Sequence, residues 1–153
     1  MATAVFPGSF NPFTIGHKSI VERALPLFDR IIVGVGYNEH KSDAGSVEER
    51  VEAIRRIFAS EPRVEAVAYT GLTVDLARRT GASFMVRGVR NVTDFDYERT
   101  LADVNRRISG IETVFIPSLP ELADISSSMV RELSHNGVDT TPFIPSTDNN
   151  SEK

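Results

Sequence analysis

Apolar, β-favouring runs alternate with stretches of helical periodicity from one end of the chain to the other. Residues 3–6 form the first run, Arg30–Gly36 the second, and Val64–Tyr69, Ser83–Arg87 and Thr113–Ile116 follow. The second run is almost continuously apolar, the signature of a parallel strand covered on both faces. Helical patterns fill the gaps. Ile20, Val21, Ala24, Leu27 and Phe28 keep one face apolar, and Pro26 should end or kink that helix. Ser46-Val47-Glu48-Glu49 reads as a capping box, after which Val51, Ile54 and Phe58 continue the stripe. Tyr97, Leu101, Val104 and Ile108 do the same for a later helix, and Ser128 opens a last one. Strand, helix, strand, helix with short links predicts an α/β protein: a single doubly wound, five-stranded parallel sheet with right-handed crossovers. Ligands of such sheets sit beyond the carboxyl ends of the strands, where strand order reverses. Residues 1–145 are expected to form one domain, and the polar, aperiodic 146–153 a disordered tail.

Composition narrows the function classes. The chain has 153 residues, enough for one domain with a proper core. Its 17 Lys plus Arg against 21 Asp plus Glu give a net charge of -4, which argues against a nucleic-acid binder but not against an anionic small molecule. There is no Cys, which excludes thiolate catalysis, disulfides and Cys-ligated zinc. His17, His40 and His135 are scattered without metal-ligand spacing, so no protein metal site is expected. No apolar run approaches the ~18 residues of a membrane span, and the N-terminus does not read as a secretory signal. A cytoplasmic location without a membrane partner is the expectation.

The candidate chemistry follows the strands. Val5 to His17, VFPGSFNPFTIGH, reads as a buried strand, a Gly/Pro-shaped turn and a helix opening on Thr14-Ile15-Gly16-His17. Helix-start N–H groups and the helix dipole favour phosphate there, and Gly8 and Gly16 lack the Cβ that would keep backbone from a ligand. Lys41, after the second strand, is either a solvated loop lysine or an ammonium reaching a phosphate. Arg87-Gly88-Val89-Arg90 offers two forked donors to phosphate, or ion pairs with Asp94, Asp96 or Glu98. Glu98 itself reads as readily as a helix-dipole complement as a ligand contact. In Ile125-Ser126-Ser127-Ser128 one serine suits an N-cap, and three at a helix start make a donor-rich phosphate seat. Leu72 and Thr73 suit packing and capping. Arg99, Asp103 and Arg107 have the spacing of a salt-bridged solvent face.

In this order and at these separations, Pro7-Gly8-Ser9-Phe10-Asn11-Pro12 with Thr14-Ile15-Gly16-His17, Lys41, Arg87–Arg90, Asp94–Glu98 and Ile125–Ser128 resemble the bacterial phosphopantetheine adenylyltransferase family. The resemblance runs from about residue 3 to residue 145. It implies a Rossmann-like nucleotidyltransferase fold and the step that joins ATP and 4'-phosphopantetheine into dephospho-coenzyme A and pyrophosphate. It implies that Ser9, Phe10, His17, Gly88, Val89, Arg90, Glu98 and Leu122, Ala123, Asp124, Ile125, Ser126, Ser127 and Ser128 bind ATP. Ser9, Lys41, Thr73 and Arg87 would hold phosphopantetheine, with His17 and Lys41 catalytic. Mg²⁺ would accompany ATP, and the assembly would be a homohexamer. The chain has Ser9 where the family usually has Thr, Asn11 for Asp, and Thr73 for a longer apolar residue in some members. Its region after His135 is shorter and more polar than in members with a final helix.

The acceptor's phosphate is already an anion, so direct in-line attack on the α-phosphorus needs no general base. Covalent catalysis by His17 is the alternative route. Two other functions share the motifs: a sister nucleotidyltransferase with another phosphorylated acceptor, and a non-catalytic nucleotide sensor.

Overall fold

The computed structural model describes residues 2–38 and 44–147. Five parallel strands, β1 (Thr3–Gly8), β2 (Arg30–Gly36), β3 (Val64–Tyr69), β4 (Phe84–Val89) and β5 (Glu112–Pro117), lie in the order β3-β2-β1-β4-β5. The expected doubly wound sheet is therefore present, with its strand order reversing between β1 and β4. β2 is buried along its middle, as its unbroken apolar run requires. β4 runs two residues further than its apolar run, so Arg87, Gly88 and Val89 are strand residues and not part of a loop beyond it.

Helices α1 (Ile15–Ala24) and α2 (Ala44–Ile57) cover one face, where Ile20, Val21, Val51 and Ile54 pack on Ala4, Phe6, Ile31 and Val33. α1 stops at Ala24, and Pro26 sits in a short 3-10 turn, Leu25–Leu27, as a missing N–H dictates. α2 starts at Ala44, so Ser46 lies inside the first turn and not at a cap. On the other face α3 (Thr73–Thr80) packs Val74, Leu76 and Ala77 on Val5, Ile32 and Met85. That approach is close: a Cβ on Gly34 of β2 would lie 2.6 Å from Leu76 Cδ2.

α4 (Val92–Ser109) departs from its expected orientation. Its stripe Tyr97, Leu101, Val104 and Ile108 is exposed, not packed on the sheet. Glu98, Ala102, Asn105 and Ser109 turn inward instead, because that side of α4 walls a cleft. α5 (Ser127–His135) closes the fold and is followed by a 3-10 turn, Thr141–Phe143. Pro145 is buried, and the tail expected over 146–153 lies mostly outside the described residues. No helix among the described residues is long and apolar enough to cross a membrane.

Candidate active site

The β1–β4 ladder registers Ala4 with Phe84 and Val5 with Met85 only, while both strands run on for three or four residues. Arg87 bridges the gap by donating from Nη1 to the Pro7 carbonyl. Two clefts open at this switch point. The smaller, about 280 Å³, is lined by Ser9, Phe10, Gly16, His17, Gly88, Arg90, Leu122, Ile125 and all three serines 126–128. The larger, about 690 Å³, runs between α4 and the sheet past Tyr69, Thr73, Met85 and Asn105. Pro7, Gly8, Ser9, Arg87 and Glu98 line both.

Thr14 is the N-cap of α1, one residue before the helix. Its Oγ1 accepts from the His17 N–H at 3.3 Å, while its own N–H donates to His17 Nδ1 at 2.9 Å. This is a capping box with histidine in the place usually held by Glu or Gln. An Nδ1 that accepts a hydrogen bond carries no proton, so neutral His17 bears its proton on Nε2. The ring sits among Phe6, Phe10 and Phe13, with centroids 6.4, 4.9 and 5.3 Å away. Burial in this cage, then the charges of Arg87 and Arg90, lower its pKa from 6.5 to about 4. His17 is thus a fixed neutral donor at physiological pH. Acting as a nucleophile through Nε2 would require the other tautomer.

The depressed pKa has a consequence for stability. Above pH 6.5 neither folded nor unfolded chain protonates this ring, and its favourable contribution is complete. As pH falls towards about 4 the unfolded chain takes up a proton that the folded chain refuses, and about 3 kcal/mol of stability is lost. His17→Gln retains a capping-box side chain and removes the titration. Denaturant melts at pH 7 and pH 4 should show the stability gap between wild type and variant moving by about that amount in the variant's favour. A gap independent of pH would contradict the buried neutral ring.

The preceding turn is shaped by packing. Phe10 is 3% exposed and has φ of +48°, a left-handed conformation that a bulky residue rarely adopts. Its ring lies against Gly8, where a Cβ would come within 2.8 Å of Phe10 Cζ. Three guanidiniums then pin alternate carbonyls of the turn: Arg87 on Pro7, Arg50 on Ser9 and Arg131 on Asn11.

At the smaller cleft's far side Ser126 caps α5, accepting from the Met129 N–H at 3.1 Å, and Ser127 Oγ donates to the Pro12 carbonyl at 2.8 Å. Ser128 is exposed at the rim. The first turns of α1 and α5 contain no acidic residue, whereas those of α3 and α4 contain Asp75 and Asp94. The two helix starts facing this cleft therefore keep their positive dipole ends for a ligand.

The ion-pair reading of the arginine pair is the one seen in the side-chain contacts. Arg87 forks Glu98 through Nε and Nη2, and Arg90 forks Asp94, with Nε at 2.9 Å. Glu98 is 7% exposed and committed to Arg87. Thr73 opens α3 and lines the larger cleft, its Oγ1 2.9 Å from the Tyr69 hydroxyl. Leu72, expected to pack, is exposed. Val89, Ala123 and Asp124 line neither cleft, and Lys41 lies outside the described residues. Asp103 meets both Arg99 and Arg106. Arg50, Asn105, Thr113 and Arg131 are lining residues that sequence reasoning did not reach. For Arg50 a signal existed: it interrupts the buried stripe Val47, Val51 and Ile54 with a charge.

Residues 5–133 match the cytidylyltransferase-like family. The chain is 52% identical over 145 residues to phosphopantetheine adenylyltransferase of Phocaeicola vulgatus, spanning 95% of this chain and 96% of that one. It is 52% identical over 142 residues to the Porphyromonas gingivalis enzyme of the same name, spanning 93% of each. A putative nicotinate-nucleotide adenylyltransferase structure from Vibrio parahaemolyticus superposes with a TM-score of 0.68 at 21% identity, covering 95% of both chains, which shows the shared fold. With the motifs spread over both clefts and these relatives matched along nearly their whole length, the chain belongs to the cytidylyltransferase-like family and, within it, to the phosphopantetheine adenylyltransferases.

Proposed function

We propose that the smaller cleft takes ATP and the larger 4'-phosphopantetheine, so that the chain carries out its family's reaction: transfer of the adenylyl group of ATP to 4'-phosphopantetheine, giving dephospho-coenzyme A and pyrophosphate. The observation that carries this assignment is the shared wall. Pro7, Gly8, Ser9, Arg87 and Glu98 border both clefts, so groups seated in each meet at that wall. A phosphate oxygen of the acceptor attacks the α-phosphorus in line, the bond from that phosphorus to the bridging oxygen breaks, and pyrophosphate leaves. The attacking oxygen is already anionic, so the enzyme's work is alignment and charge stabilisation. Proximity and orientation can supply ~7–11 kcal/mol of such a barrier, and fixed donors much of the rest.

In this reading His17 donates from Nε2–H to a phosphoryl oxygen that gains charge. Arg90, Ser128 and the starts of α1 and α5 face the β- and γ-phosphates. Asp94 takes one N–H each from Nε and Nη2 of Arg90, which leaves both N–H groups of Nη1 and the second of Nη2 for phosphate. Arg87, Thr73 and Lys41 are assigned to the acceptor. Among the described residues no three His, Cys, Asp or Glu side chains gather to hold a metal. Mg²⁺ is therefore proposed to arrive on the triphosphate with oxygen ligands from phosphate and water, where it would neutralise phosphate charge. A cytoplasmic location, where ATP is supplied, completes the proposal.

The test is pyrophosphate release from ATP and Mg²⁺ with 4'-phosphopantetheine, against unphosphorylated pantetheine. Release only with the phosphorylated acceptor is expected. Silence with it, and release with another phosphorylated acceptor such as nicotinamide mononucleotide, would move the chain to a sister activity.

Self-association, a homohexamer in the family expectation, is supported by α4. Tyr97, Leu101, Val104 and Ile108 are 65, 39, 50 and 49% exposed, an apolar strip that favours burial against another copy. Leu101→Lys with Val104→Lys is expected to lower the mass seen by light scattering while leaving the circular dichroism spectrum unchanged. An unaltered mass would place the interface elsewhere.

A further inference from the structure

Arg63, Arg87 and Arg90 each present Nε and Nη2, the forked edge of the guanidinium, to a carboxylate: Glu61, Glu98 and Asp94 respectively. Arg50 has no such partner. Its Nη1 donates to the Ser9 carbonyl, but Nε and Nη2 are buried without a hydrogen-bond acceptor among the described residues. The residue is only 8% exposed, and among the described residues no carboxylate lies within ion-pairing distance. Water does not screen a charge so placed, and leaving such a fork empty is costly. Arg131 on the same turn is solvent-exposed, so its open donors carry no comparable message.

Arg50 lines the larger cleft beside Ser9, on the same turn that Arg87 pins two residues earlier, with its unfilled Nε and Nη2 buried behind the cleft wall. A planar pair of N–H donors matches two oxygens of a phosphate or carboxylate. We infer that Arg50 is a substrate-binding residue whose Nε–Nη2 fork holds the phosphate of the acceptor, fixing the attacking oxygen against the Ser9 turn. This rests on the reading of the larger cleft as the acceptor's seat. Arg87, with its fork committed to Glu98, then contributes charge and the position of the turn, while Arg50 supplies the bidentate contact. The phosphates of ATP are the competing source of oxyanion. They are disfavoured because Arg50 does not line the cleft that holds His17 and the serines.

Arg50→Lys keeps the charge and can still donate to Ser9, but has no fork. Calorimetry on wild type and variant would use 4'-phosphopantetheine, unphosphorylated pantetheine and ATP. Arg50→Lys is expected to weaken 4'-phosphopantetheine on the order of 10- to 100-fold, while pantetheine and ATP stay within about threefold. Equal weakening of pantetheine would show that Arg50 only holds the turn, and selective weakening of ATP would assign the fork to the nucleotide. Unchanged affinities would also overturn the inference. Wild-type turnover separates this from the underlying reading: pyrophosphate release that needs the phosphorylated acceptor upholds the cleft assignment whatever Arg50→Lys does, and its absence overturns both. Should the variant fail to fold, the ¹H–¹⁵N signal of Arg50 Nε in the wild type carries the test. It is expected to move on adding 4'-phosphopantetheine and not on adding ATP, and a stationary signal would contradict the contact.

Discussion

His17→Ala is expected to lower turnover by about 10²- to 10³-fold, the usual cost of removing one preorganised donor from a site where negative charge develops. ATP affinity should change far less, because the contact strengthens only as charge builds on the phosphoryl oxygens. The prediction follows from three observations. The Thr14 N–H occupies Nδ1, the phenylalanines and nearby arginines keep the ring neutral, and the ring lines the smaller cleft. Steady-state rates beside calorimetric ATP binding make the measurement. Alanine also removes half of a capping box, so a stability loss of about 1 kcal/mol is expected alongside. Near-normal turnover would remove His17 from the transition state, and a trapped adenylyl-histidine would restore the covalent route.

The second large effect is on the fold itself. Arg87→Ala is expected to cost about 3–5 kcal/mol, since it strands the carboxylate of Glu98, 7% exposed, without its forked partner. It also frees the Pro7 carbonyl that Arg87 ties across the β1–β4 gap. Arg87→Met combined with Glu98→Leu should recover most of that stability, because removing both charges leaves no buried ion unpaired. Activity should not return with it, as both clefts lose a cationic wall. Urea melts of the single and double variants decide the matter. A double variant no more stable than Arg87→Ala would show that the ion pair is not the source of the loss.

Burial on both faces was legible in the unbroken apolar run of β2, and the stop of α1 in Pro26. The order of motifs pointed to the turn at residues 7–12, to His17 and to the serines. Other features could not be read in this way. α4 carries a helical stripe that looks core-facing, yet Tyr97, Leu101, Val104 and Ile108 are exposed and Glu98 is buried. Periodicity reports that a helix has an apolar side but not what lies against it. Ser46-Val47-Glu48-Glu49 has the form of a cap, but α2 begins earlier, at Ala44.

The division follows from the range of the forces involved. Alternation of apolar and polar positions, proline's missing N–H and the preference of a helix start for particular side chains act within a few residues. They specified five parallel strands, their intervening helices and the location of the Gly/Pro turn at residues 7–12. Which cations meet carboxylates and which do not depends on contacts across the fold: Arg87 with Glu98 over 11 residues, Arg50 with Ser9 over 41, and Arg131 with Asn11 over 120. Only the folded sheet, by parting β1 from β4 at the switch point, created two adjoining clefts. There, among the described residues, one buried guanidinium remains with its fork unfilled.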